Sequence, residues 1–150
     1  MAGKILASSA DMSEPTVDRY MTHAPHTIGH DQPLNAAHEM MRRYGIRHLP
    51  VLKGGALVGV VSQRDLHFIE TLSDVDASRV PVSDAMSAET YAVGPRASLR
   101  NVAAEMADHR YGCAVIVERQ RVIGILTTVD GMRALSLELA EQRREPSLTR

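Results

Sequence analysis

Apolar residues recur at helical spacing from Leu34 through Ala37, Met40 and Met41 to Tyr44. That period predicts a helix. Gln32-Pro33 opens it, since proline suits a first helical position, and Gly45 closes it as a C′ glycine. Next come two apolar runs, Leu49 to Leu52 and Ala56 to Val61, parted by Lys53-Gly54-Gly55. They read as a hairpin, and the near-continuous second run predicts a strand buried on both faces. A second helix is expected after Ser62, running to about Leu72 with Leu66, Ile69 and Leu72 on one face. Ahead of the first helix lie a short helical turn, Val17 to Met21, and a brief extended piece at Thr27-Ile28, closed by Gly29 and Asp31.

The same order then repeats. Val82 to Asp130 matches Val17 to Asp65 at a constant offset of 65 positions without a gap. Identical pairs are Val17/Val82, Met21/Met86, Gly29/Gly94, Leu34/Leu99, Met41/Met106, Gly59/Gly124 and Asp65/Asp130. The second copy predicts a strand at Tyr91 to Val93 and a helix from Ser98 to about His109. Strands at Ala114 to Val117 and Val122 to Leu126 follow, then a helix from Thr128 extending toward Arg144. Leu135, Leu137 and Leu139 are available there for packing. Such a period marks a duplicated unit. The expected divisions are a mobile arm at 1–16, repeat one at 17–72, a polar linker at 73–79, repeat two at 80–135, and a C-terminal extension and tail at 136–150. The fold class is α+β, two pseudo-symmetric β-α-β-β-α units packed through their sheets. Units of this size are near the lower limit for a self-sufficient core, so the halves should pack as one domain.

Composition narrows the function classes. There is no Trp and one Phe, so the core is aliphatic and no aromatic platform awaits single-stranded nucleic acid. A net charge of −1 offers no basic field for DNA or a membrane surface. The single Cys113 excludes an intrachain disulfide and fits a reducing cytoplasm. No apolar run approaches the ~18 residues of a membrane helix, and Ile5-Leu6-Ala7 is too short for a signal-peptide core.

Candidate chemistry sits at the duplicated strand ends. Gly59-Val60-Val61-Ser62-Gln63-Arg64-Asp65 and Gly124-Ile125-Leu126-Thr127-Thr128-Val129-Asp130 each end a strand with a hydroxyl, then a carboxylate three positions on. A carboxylate accepts from two vicinal hydroxyls at once. A helix start offers free amides and a dipole to phosphate. The same spacing also describes an ordinary capped helix start, and the two roles are compatible because they use different atoms. Arg47 adds a cation for phosphate oxygens and His48 a pH-dependent charge. His23, His26 and His30 share no face, so no metal site is expected. Cys113 reads as a small buried residue. Met40, Met41 and Met106 read as helix-face core.

The gapless duplication, both strand-end motifs and Ile46-Arg47-His48-Leu49-Pro50-Val51 resemble the CBS domain, here as a tandem pair or Bateman module, over about Val17 to Leu135. The resemblance implies two clefts near a pseudo-twofold axis that bind adenosine-containing ligands: AMP, ADP, ATP or S-adenosylmethionine. One cleft would take Thr127 and Asp130 with His26, Ile28, Ile46, Arg47, His48 and Pro50. The other would take Ser62 and Asp65 with Tyr91, Val93, Tyr111, Gly112, Cys113 and Val115, and Arg64 as substitute cation. Repeat two departs from the family, with Gly112-Cys113 for the basic pair and Val115 for the proline. The Asp130 cleft is therefore expected to be the stronger. The implied function is a non-catalytic sensor without a cofactor that acts as a homodimer or through an unidentified effector protein. Ala103, Ala107 and Leu66 are expected on outward-facing helices that would meet the second copy. The alternative is a structural dimerisation module with empty clefts.

Overall fold

The computed structural model describes residues 14–144. The expected arm therefore lies mostly outside the described residues, as does the tail at 145–150. The chain runs α1 (Val17–Tyr20), β1 (Thr22–His23), β2 (Ile28–Gly29), α2 (Leu34–Tyr44), β3 (His48–Lys53), β4 (Ala56–Ser62) and α3 (Gln63–Glu70). A 3₁₀ turn (Val82–Asp84) leads into β5 (Ala92–Val93), α4 (Leu99–His109), β6 (Cys113–Glu118), β7 (Arg121–Thr127) and α5 (Thr128–Arg144). The α+β class and the two-sheet architecture read from the duplication are present. One sheet has order β2-β3-β4 and the other β1-β7-β6-β5. In each, an antiparallel hairpin carries a short parallel strand on its outer edge. Both hairpins slip register at the same place, between Val51 and Leu52 and between Ile116 and Val117. The duplication thus extends to the bulge, which adds local twist to each sheet.

The two cores are built by exchange. Leu34, Leu49, Val51, Val61 and Leu66 of the first repeat enclose Val82 and Ala85 from the start of the second. Leu99, Val102, Ile116 and Leu126 of the second enclose Val17 and Met21 from the start of the first. Backbone hydrogen bonds follow the same exchange. The first amide of α2 donates from Leu34 to Val80, and that of α4 donates from Leu99 to Pro15. Each bond satisfies a helix-start donor that would otherwise lack a partner. Strand β1 crosses to the other repeat, pairing Thr22 and His23 with Ile125 and Gly124. Its counterpart is a single bridge between Val60 and Ser87.

Several expectations shift. Pro33 stands just outside α2 in extended conformation, not in its first turn. Helix α3 stops at Glu70, where the Thr71 hydroxyl donates to the Phe68 carbonyl, so Leu72 is half exposed. Leu135, Leu137 and Leu139 are each about half exposed, because the buried side of α5 is Asp130 and Ala134. Leu66, expected on an outward helix face, is fully buried in the first core. Val75 and Ala77, in the stretch read as a linker, pack against that core. Glu14, at the end of the expected arm, pairs with Arg100. No helix among the described residues is long and apolar enough to cross a membrane.

Candidate functional site

The two strand-end motifs both form helix starts, but their surroundings differ. At α3, the Asp65 amide donates to Ser62 Oγ at 3.1 Å, and the Ser62 amide donates to Asp65 Oδ2 at 2.8 Å. This is a capping box with aspartate in the role of glutamate. Among the described residues, Asp65 Oδ1 accepts no protein hydrogen bond. At α5, Asp130 accepts from the Thr127 amide at 2.9 Å and from the Thr127 hydroxyl at 3.0 Å. It also accepts from the Thr22 hydroxyl at 3.3 Å and from Arg133 at 3.5 Å. Its exposure is only 5%. Both Asp130 oxygens therefore have protein partners, while one Asp65 oxygen is open.

Asp65 opens into a cleft of about 860 Å³ between the repeats, within the usual span of small-molecule sites. Ser62, Gln63, Arg64 and Asp65 line it from the start of α3, with Arg47 and His48 beside them. Tyr91, Tyr111, Gly112 and Cys113 of the second repeat line it too. Tyr91 and Tyr111 stand with ring centres 5.3 Å apart, and His109 stacks on Tyr111 at 5.2 Å. That aromatic cluster suits a flat heterocycle. Burial, aided by Glu105 and Tyr111, holds the Tyr91 phenol above its ordinary pKa, so its hydroxyl remains a donor.

Arg47 and His48, expected with Asp130, line the same cleft as Ser62 and Asp65. His48 pairs with Ser62 across the β3–β4 hairpin, and the Gln63 amide donates to the Arg47 carbonyl. Hairpin register thus ties the basic pair to the Asp65 of its own repeat. The others of that group do not line the cleft. His26 stacks on Tyr44 at 3.7 Å, Ile28 and Pro50 are buried, and Ile46 packs on the first core. In the Asp65 group, Val115 is fully buried and Val93 packs on the second core. The cleft is lined from the start of α3 by Ser62 to Asp65 and reaches Thr128 at the start of α5.

Gly112 explains how the basic pair fits. A Cβ there would lie 2.5 Å from His48 Nε2. The glycine in repeat two, where repeat one has Arg47, leaves room for the imidazole. Burial lowers the His48 pKa from its ordinary value, with Asp65 opposing and Arg47 and Arg64 reinforcing the fall. Burial pushes the Cys113 thiol up to about 11, so it is not a thiolate at neutral pH.

Sequence reasoning missed Ser87, Glu89, Thr90 and Arg110, which also line the cleft. The first three belong to the crossover leading into β5. The signal available was their place just before the expected Tyr91 strand. Thr90 Oγ1 is buried and has no hydrogen-bond partner among the described residues. Buried hydroxyls seldom stay unpaired. Among the described residues, no set of three or more His, Cys, Asp and Glu side chains could hold a metal.

The model of the CBS domain matches twice, over residues 17–69 and 82–137. The chain belongs to the CBS domain family. It is 29% identical over 110 residues to the CBS domain-containing protein YhcV of Bacillus subtilis, covering 73% of this chain and 78% of that one. It is 31% identical over 105 residues to an inosine-5'-monophosphate dehydrogenase of Korarchaeum cryptofilum, covering 69% of this chain but only 21% of that enzyme. Among solved structures, AcuB of Vibrio cholerae is similar with a TM-score of 0.78 and 32% identity, covering 89% of this chain and 99% of that one. CBSX2, in complex with AMP, is similar with a TM-score of 0.70 and 25% identity over 83% of this chain and 98% of that one.

Proposed function

We propose that this CBS pair is a non-catalytic regulatory module that binds an adenosine-containing ligand in the Asp65 cleft. One observation carries the reading: a carboxylate with a free oxygen, at a helix start, shares a cleft of ligand size with two tyrosines. Asp65 Oδ1 accepts from ribose hydroxyls. The amides of the first turn of α3 and the Arg47 guanidinium hold phosphate. Tyr91 and Tyr111 flank the base, and Thr90 Oγ1 gains the partner that it lacks. The AMP held by CBSX2 supports this ligand class. The Asp130 position serves a structural role, joining α5 to β1 of the other repeat.

The test is a melting-temperature panel of adenosine, AMP, ADP, ATP and S-adenosylmethionine on the purified protein. A ligand at 100 times its Kd adds about 2.7 kcal/mol of stability. A rise with at least one of them that Asp65→Ala removes is expected. No rise with any of the five contradicts the reading and favours a module whose role is dimerisation.

A further inference from the structure

The C-terminal ends of α2 and α4 make the same backbone turn with different residues. After α2, Gly45 adopts a left-handed conformation, φ 63° and ψ 35°. The Ile46 amide then donates back to the Met41 carbonyl. After α4 the same turn is made by Arg110, φ 58° and ψ 38°, and the Tyr111 amide donates to the Met106 carbonyl. Glycine is the residue that takes this conformation without penalty, because a Cβ crowds the backbone there. An arginine is thus held where the other repeat uses glycine. The same exchange occurs in the hairpin turns, where Arg119 and Gln120 take positive φ at the places of Gly54 and Gly55, so what distinguishes Arg110 is its place on the cleft.

Arg110 lines the Asp65 cleft, together with Arg47 and Arg64. Among the described residues, none of these three arginines forms a salt bridge. The carboxylates of the same lining are Asp65, whose Oδ2 is engaged by the Ser62 amide, and Glu89. Three arginines against the two carboxylates give the lining an excess of positive charge, which a ligand with concentrated negative charge complements. A di- or triphosphate does so better than a monophosphate. A sulfonium cation would add to the excess.

We propose that Arg110 is a specificity-determining residue that, with Arg47 and Arg64, selects a nucleoside polyphosphate over a nucleoside monophosphate or an adenosyl sulfonium. The inference rests on the reading of this cleft as an adenosine-ligand site, and extends it from the nucleoside to the phosphate chain. The Asp65 end takes the ribose, and the arginines take the phosphates beyond it.

Arg110→Gly tests this without disturbing the fold, since glycine suits the backbone at this position. Calorimetric titrations would compare wild type and variant with adenosine, AMP, ATP, S-adenosylmethionine and inorganic tripolyphosphate. The melting temperature of the free variant should not fall. ATP affinity should drop about tenfold, the loss of one charge-assisted contact. AMP affinity should change by less than about threefold, as for an exposed ion pair. An unchanged ATP-to-AMP ratio in the variant overturns the proposal while leaving the adenosine reading intact. Tighter binding of S-adenosylmethionine than of ATP by wild type does the same. If adenosine, AMP and ATP all fail to bind while tripolyphosphate binds in an Arg110-dependent way, the nucleoside reading falls and the polyphosphate site stands. Silence of all the ligands overturns both.

Discussion

Asp65 and Asp130 are the same residue in the same motif, yet one is open and the other closed. The difference lies in the crossing segment. Thr22 donates to Asp130 at 3.3 Å, whereas the equivalent Ser87 directs its hydroxyl at the Glu89 carbonyl. Asp130→Ala is therefore expected to act on stability. It removes a buried, multiply bonded carboxylate and should cost about 1–3 kcal/mol in urea unfolding. An unchanged midpoint would contradict the structural role. His48 gives a prediction with a definite sign. Burial lowers its pKa in the folded protein, while the unfolded imidazole titrates near ~6.5. As pH falls below that value, the unfolded chain takes up a proton that the folded site resists. His48 therefore leaves stability unaffected above about pH 7.5 and lowers it as pH drops from ~6.5 through the lower folded value. Urea midpoints at pH 7.5 and 5.5 should fall further apart in wild type than in His48→Gln; equal gaps would contradict a buried, neutral imidazole. The carboxylates were legible in the sequence because the repeat marked them twice. Their unequal exposure was not, because it depends on Thr22, which lies 108 positions from Asp130 along the chain.

At the scale of elements, the exchanged segments explain two of the repeated identities. Met21 packs on Gly124 and Met86 on Gly59, each methionine against the glycine of the opposite repeat. The offset revealed the identities within each residue type. It could not reveal that the methionine of one copy meets the glycine of the other. The helices and hairpins were legible because their periods and turns are local. The crossing strand was not, since two residues of β1 carry no period of their own. A Cβ at Gly59 would lie 2.7 Å from both the Met86 sulfur and the Ser87 carbonyl oxygen. The carbonyl belongs to the bridge with Val60 and has little freedom to move. At Gly124 the close atoms all belong to the flexible Met21 side chain. Gly59→Ala should therefore destabilise by about 1–3 kcal/mol, and Gly124→Ala by less. Thermal melts that reverse this order would contradict the exchanged packing.

For the whole molecule, the exchange joins two small cores into one unit with the Asp65 cleft between them. Outside it, α3 and α5 leave apolar residues uncovered: Phe68 is 65% exposed, Val129 63% and Met132 66%. The expected helix-mediated homodimer would use this surface beside Ala103 and Ala107, which are exposed on α4, whereas Leu66 of α3 is buried in the core. Sedimentation should show a dimer at micromolar concentration and a monomer for Met132→Glu; a wild-type monomer would contradict that placement. The regulatory claim depends most directly on the open carboxylate. Calorimetric titration of ATP and AMP into wild type, Asp65→Ala and Asp130→Ala separates the two strand-end sites. Hydrogen bonds to a charged acceptor contribute about 1.5–3 kcal/mol. Asp65→Ala should therefore lose about one to two powers of ten in affinity, while folded Asp130→Ala binds within about threefold of wild type. Equal binding by wild type and Asp65→Ala, or loss confined to Asp130→Ala, would contradict the assignment of the ligand to the Asp65 cleft.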